Sequence, residues 1–281
     1  MLYVPNCSGG SFADIQGSHE GVRPPTGELG TELLGAVHPS YGGYTEVIAS
    51  TRAESFGVLI NFNNRWVSAN HLFGAVDIAI GAVGQEIVII PNLMYGPVSS
   101  YGPGQGYWYY FPIKVPAGSR ISARHTLNNI TNNTLRMVLR LLQKPSDGTS
   151  VKAATFVESI GATLPTGTNF TPGTTLKGAW TLLGAATRKV WWWQVGVKVA
   201  SGDTNHVNAT AYIDLAVGDA SQKHIVLRDH LLNIASTEVS VNRPQIVGSE
   251  CAVPAGTNVY VRGQSSGTAE TYAAVAYAAG G

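Results

Sequence analysis

One decapeptide occurs twice in this chain. Residues 115–124 read VPAGSRISAR and residues 253–262 read VPAGTNVYVR, 138 positions apart in a chain of 281. A chance match does not extend, and this one does. Downstream, the same spacing sets Leu135, Met137, Leu139 and Leu141 against Ala273, Val275, Tyr277 and Ala279. Upstream, the segment from Asp77 to Gly81 (DIAIG) falls on that from Asp214 to Gly218 (DLAVG) at a spacing of 137. Earlier still, Tyr44-Thr45 and Thr51-Arg52 fall on Trp180-Thr181 and Thr187-Arg188 at 136. Blocks that keep their order with so little drift mark an internal duplication. The division it predicts is an extended arm over 1–43, a first copy over 44–142, a linker over 143–179 and a second copy over 180–281. Each copy is long enough to bury a core of its own.

Within the copies the apolar residues alternate. Phe56, Val58, Ile60 and Phe62 interleave with Gly57, Leu59, Asn61 and Asn63. Trp191, Trp193, Val195, Val197 and Val199 form one face of a second run. A period of two is the mark of a strand with one buried face. The last strand of the first copy sets Leu135, Met137, Leu139 and Leu141 on one face and Arg136 and Arg140 on the other. Residues 85–90 read as a strand stopped by Pro91. The HIVLRDHLLNIAS stretch of the second copy has a helix-like pattern, but its counterpart, EIVIIPNLMYG, contains a proline, so it reads as a strand followed by a loop. In VPAG, Pro sets φ and Gly supplies a positive φ, giving a tight turn between strands. Short strands with Gly/Pro turns about every ten residues predict an all-β chain: two tandem, internally duplicated jelly-roll-like antiparallel β-sandwiches. The arm, with Phe12, Ile15, Leu33 and Leu34, is expected to dock on a neighbour.

Charged residues make up 12% of the chain and the net charge is +1. That balance gives no electrostatic case for nucleic acid or an anionic membrane, and no apolar run reaches the length of a membrane span. The N-terminus lacks the basic and apolar regions of a signal peptide. So few charges suggest a surface hidden in contacts with other subunits. Cys7 and Cys251 are too few for a disulfide scaffold; Cys251 aligns with Ile113, and whether the two pair stays open.

Candidate chemistry is thin. Asp77 and Asp214 precede equivalent glycine turns, and each lacks a second carboxylate at ligand-like spacing, so a side chain bonding turn backbone is expected. The seven histidines form no zinc pattern. No nucleophile elbow or Walker loop is present, and GPGQG at 102–106 does not lie between a strand and a helix. Paired carboxylates for glycoside hydrolysis are not offered. No catalytic, cofactor or metal residue is therefore predicted, and the chain reads as a non-enzyme. The binding candidates are aromatic and basic. Tyr101, Tyr107, Trp108 and Tyr109 belong to an aromatic loop that could contact a partner or stack on sugars, with part of it in the core. Trp192 is expected under a loop or at an interface. Arg120, Arg124, Arg136 and Arg140 are taken to share one face, solvated or bridged to a neighbouring subunit. Tyr272 and Tyr277 sit in a final strand, TYAAVAYAAGG, with no charge after Glu270 and a sticky surface for assembly.

The repeated VPAG-[ST]-x-[IV]-x-x-R, followed by a Ser/Thr/Asn-rich turn and an apolar last strand, resembles β-sandwich virion proteins of tailed bacteriophages, of the head-decoration, tail and fibre-base type. About 30 residues per copy carry the likeness. It implies a non-enzymatic structural protein of the virion, assembled in the host cytoplasm. Its partners would be itself, as a trimer or ring, and other virion proteins, with a host surface glycan as a further ligand. Two alternatives stand beside it: a carbohydrate- or host-receptor-binding module, and a double jelly-roll capsid shell protein.

Overall fold

Alternation, not helical spacing, governs the chain: among the described residues the computed structural model contains strands and no helix. It describes residues 15–17, 30–63, 74–95, 108–127, 134–143, 152–164, 166–199, 209–234, 239–241, 252–266 and 271–281. The first half holds β1 (Ile15–Gly17), β2 (Thr31–Leu34), β3 (Ala36–Val37), β4 (Thr45–Ile48), β5 (Ser55–Asn63), β6 (Gly74–Ile80), β7 (Ile87–Tyr95), β8 (Trp108–Phe111), β9 (Ile121–Leu127) and β10 (Thr134–Gln143). The second holds β11 (Phe156–Ile160), β12 (Ala162–Thr163), β13 (Thr166–Phe170), β14 (Thr181–Ala185), β15 (Val190–Val199), β16 (Ala209–Gly218), β17 (Lys223–Ile234), β18 (Val239–Val241), β19 (Asn258–Ser265) and β20 (Tyr272–Gly280).

These strands form four sheets. In the first half, β1-β10-β5-β8 make one sheet, with β2 also on β10, and β3-β9-β6-β7 make the other, with β4 also on β9. In the second half, β12-β13-β20-β15-β18 make one, with β11 also on β20, and β14-β19-β16-β17 make the other. The pairings between these strands are antiparallel apart from β3 on β9. Partner order matches across the halves: β10-β5-β8 beside β20-β15-β18, and β4-β9-β6-β7 beside β14-β19-β16-β17.

Each half encloses apolar side chains between its two sheets. Phe62 lies opposite Met137 in the register of β5 and β10. Its ring meets Tyr95 at 5.8 Å and Tyr109 at 5.5 Å, and Tyr95 stands edge-on to His125 of β9. Leu135, Met137, Leu139 and Leu141 are all fully buried, as their alternation predicts. In the second half Phe170 and Tyr272 pair in register with rings 5.8 Å apart, and Phe170 reaches Gly263 of β19. Ala274, Ala276 and Ala278 share that core with Trp193, Val195 and Val197.

The core-facing residues of β20 are therefore the even-numbered ones, and the gapless spacing of 138 is off by one there. Ile121 and Val259, both fully buried, still match at 138. Beyond the intervening turn the equivalents of Met137, Leu139 and Leu141 are Ala274, Ala276 and Ala278, at 137. A slip of one residue turns a strand over, so it decides which face of β20 meets which core.

The stretches read as arm and linker supply strands. β1 and β2 pair with β10, and β11 and β13 pair with β20. Leu33, expected to dock on a neighbour, is fully buried in its own chain, while Leu34 is exposed; Phe12 lies outside the described residues. Pro91 does not stop its strand, because β7 is a sheet edge and the missing N–H breaks no ladder there. Both VPAG turns are held alike. Gly118 (φ 75°) donates its N–H to the Thr51 carbonyl at 2.8 Å, and Gly256 (φ 83°) donates to Ala186 at 2.8 Å.

Candidate functional site: two aspartate–arginine stations and the seam between the halves

The register of β6 and β9 sets Asp77 opposite Arg124, and that of β16 and β19 sets Asp214 opposite Arg262. Both pairs lie on the outward faces of their sheets, since the neighbours Val76 and Ile78, and Ile213 and Leu215, enter the cores. Each aspartate sits where the ladder to the next strand shifts register. Opposite stands a residue of positive φ, Asn92 (51°) or Asp229 (50°), both types that tolerate the left-handed region. Asn92 donates its N–H to Asp77 Oδ1 at 2.9 Å, and Asp229 donates its own to Asp214 Oδ1 at 2.9 Å. Arg124 forks onto Asp77 Oδ2 through Nε at 3.0 Å and Nη2 at 2.9 Å; Arg262 Nε reaches Asp214 Oδ2 at 3.0 Å. The aspartate thus pins a β-bulge on the neighbouring strand; the backbone it holds is not that of the glycine turn after it, where the sequence placed the bond.

Aromatic rings cover each guanidinium. Arg124 lies between Tyr41 at 4.5 Å and Tyr44 at 4.7 Å, and Arg262 lies over Trp180 at 4.3 Å. Where the first station uses Tyr41, the second uses Lys177, whose Nζ bonds Asp214 Oδ1 at 2.5 Å and also bonds Asp229. Burial works to raise the pKa of Asp214, but the Asp229 N–H, the Lys177 ammonium and the Arg262 guanidinium outweigh it and hold the carboxyl below its ordinary value. Burial, reinforced by the Asp77 charge, pushes the Tyr41 hydroxyl upward. A carboxylate occupied on both oxygens by N–H donors is a clamp rather than a proton acceptor. Among the described residues no group of three or more His, Cys, Asp and Glu is placed to hold a metal ion.

The seam joins the halves at the first station. Odd-numbered residues of β20, Val275, Tyr277 and Ala279, enter the core of the first half. The Tyr277 hydroxyl accepts the Met94 N–H at 2.8 Å and donates to the Asn92 carbonyl at 3.0 Å. Phe111 packs on Tyr277 at 6.0 Å and on Trp192 at 5.5 Å, and Tyr110 meets Trp192 edge-on at 6.5 Å. Asn92 links station and seam, because its side chain also accepts from Tyr41 at 2.7 Å and donates to Ser159 at 3.0 Å. The sequence reading missed Asn92, Tyr41, Lys177 and Trp180. The available signal was the polar Asn92 behind Pro91 in an apolar run, aligned with Asp229 at the spacing of the two aspartates.

Of the seven binding candidates whose side chains are described, five are brought into the chain's own interior. Tyr109, Trp192, Tyr272 and Tyr277 are buried in cores; the uncharged β20 is covered on both faces by its own chain. The four arginines do not share a face. Arg120 pairs with Glu46 at 2.9 Å and Glu86 at 3.2 Å, and Arg124, on β9, holds Asp77 of β6. Arg136 and Arg140 belong to β10 in the other sheet, the first buried against Glu32 at 2.8 Å and the second exposed. Tyr101, Tyr107 and the side chain of Trp108 lie outside the described residues, as do Cys7 and Cys251.

No protein-family model matches the chain, and no curated protein matches it. Among solved structures it is similar to PNGF-II, with 7% identity over 90% of this chain and 64% of that one and a TM-score of 0.33. It is also similar to tripeptidyl peptidase 2, with 9% identity over 94% of this chain and 23% of that one and a TM-score of 0.26. The chain thus spans less than two thirds of either protein's length, and likenesses this faint carry no argument about fold or activity.

Proposed function

We propose that this chain is a non-catalytic structural component of a tailed-phage particle, of the decoration, tail or fibre-base kind. It is built as two tandem, internally duplicated jelly-roll-like sandwiches and assembles with itself and with other virion proteins. Support for the duplication comes from the matched partner order of the sheets, the matched VPAG turns and the two aspartate–arginine stations. The low charge and the VPAG likeness to phage sandwich proteins support the virion reading.

The observation that carries assembly is the seam. Val275, Tyr277 and Ala279 of β20 and Trp192 of β15, from one sandwich, already pack on Met94 of β7 and Tyr110 and Phe111 of β8 from the other. A unit that joins its twin in this way within one chain has the surfaces to join others. The glycan-binding alternative loses Tyr109, which is buried. The mass of the purified protein tests the reading: sedimentation should give a trimer, ring or longer assembly at micromolar concentration. A compact monomer across the whole range would overturn it.

A further inference from the structure

Cations collect at one end of the seam. β11 opens at Phe156, β15 opens at Val190 and β20 closes at Gly280, and the register sets Gly280 opposite both Phe156 and Val190. The first half joins them there. Lys114 donates its N–H to the Ala154 carbonyl at 2.8 Å, and Thr155 donates its own to the Gly280 carbonyl at 2.8 Å. These contacts bring Lys114, Lys152, Arg188 and Lys189 together. Aromatic rings hold most of them in place: Lys152 Nζ lies 4.1 Å from the centroid of Trp191, the Arg188 guanidinium 4.8 Å from Phe156, and Lys114 Nζ 5.9 Å from Phe56. A ring positions a cation without neutralising it. Lys114 is also paired with Glu54 at 2.8 Å. Lys152, Arg188 and Lys189 are exposed, and none of them makes an ion pair among the described residues. Glu158, on the same strand as Phe156, gives its carboxylate to the Thr187 N–H at 3.0 Å instead. In a chain of net charge +1, unneutralised cations gathered in one strip are a local excess that attracts an anion.

The surroundings narrow the class of that anion. Trp191 is 9% exposed, and Phe156 and Phe56 are half-buried beside their cations. The strip therefore offers charge without an open ring on which a nucleobase could stack. Carboxylates suit it: the planar Arg188 fork can take one on two donors, and the lysine ammoniums take others as point charges. A second copy of this chain is a poor source of them. Among the described residues every carboxylate is already engaged, in an ion pair or, for Glu158 and Asp219, on turn N–H groups. We infer that this strip docks an acidic segment, rich in Asp and Glu, of a different protein. The inference rests on the reading of this chain as one that meets other virion proteins, and it gives the chemistry of the surface such a partner presents.

A fluorescein-labelled oligoglutamate peptide, read by fluorescence anisotropy on the full chain, tests it. The peptide should bind at low ionic strength and weaken steeply as salt screens the exposed charges. Lys152→Gln combined with Lys189→Gln should weaken binding about tenfold. Arg140→Gln combined with Arg228→Gln removes the same charge elsewhere and should leave binding within about twofold. Arg188→Lys keeps the charge, loses the fork and should weaken binding about threefold. The substituted strip residues are exposed, so melting followed by circular dichroism should match the parent protein. No binding, or equal weakening by the control pair, overturns the strip. An oligothymidylate of equal charge that binds more tightly than the peptide overturns the choice of partner in favour of nucleic acid. Sedimentation separates the inference from self-assembly. If the native chain self-associates and the Lys152/Lys189 variant does not, the strip serves a second copy and the inference falls. If the native chain stays monomeric yet binds the peptide as described, self-assembly falls and the strip stands.

Discussion

Tyr277→Phe isolates what holds the halves together. The substitution keeps the ring, and so the packing on Phe111, but deletes a hydroxyl that serves Met94 N–H at 2.8 Å and the Asn92 carbonyl at 3.0 Å. Tyr277 is fully buried, so the carbonyl and the N–H lose their partner where water does not readily replace it. A buried polar group left unmatched costs about 1–3 kcal/mol. Two of them, with the carbonyl the more tolerant, give roughly 2–4 kcal/mol. An unfolding entropy of about 2 cal/mol/K per residue, applied to 281 residues, converts ~3 kcal/mol into a drop of about 5 °C in Tm. Urea unfolding and calorimetry of the variant, beside the exposed control Tyr212→Phe, measure it. A Tyr277→Phe midpoint no lower than that of the control would falsify the claim that this hydroxyl closes the seam.

Asp214→Asn should destabilise by about 3–5 kcal/mol, because Lys177 and Arg262 lose the charge that compensates them in a buried site. Since the folded carboxyl titrates below its unfolded value, its stabilisation is complete above the ordinary carboxylate pKa and fades as pH falls through the folded one; acid unfolding of Asp214→Asn should therefore begin from a lower and flatter plateau. Lys198, pushed down to about 7 from 10.5 by burial, binds fewer protons folded than unfolded between those values, so stability should rise with pH across that window. Lys198→Met should flatten this rise in urea titrations at several pH values. Gly118→Ala and Gly256→Ala meet no atom within 4 Å, so each should lower stability by only about 1 kcal/mol from its positive φ, as chemical denaturation will report. Gly74→Ala, whose Cβ would fall 1.9 Å from the Thr126 carbonyl oxygen, should give no soluble folded protein on expression.

Strands were legible in this sequence because alternation and the repeated turn are local signals. Val58, Ile60, Met137 and Leu139 are buried where a period of two puts them. What could not be read was which surface a buried strand faces. In TYAAVAYAAGG both parities are small or apolar, so the pattern allows two registers and gives no way to choose between them. The absence of charge that suggested a neighbouring subunit has a nearer cause: each face of β20 meets a core, one in each half. The arginines escaped for a related reason. Arg124 and Arg140 are close in sequence, but they belong to different sheets, and spacing alone cannot separate strands joined by a hairpin from strands that cross a sandwich. Stations built on Asp77 and Asp214 were half visible, because the repeated stretches of sequence marked both carboxylates and Arg262. Their covers were not, since Tyr41 and Lys177 come from different places in the two halves and do the same work with unlike chemistry. The two halves thus share what the fold needs at a position, a cover over a carboxylate, without sharing the residue that supplies it.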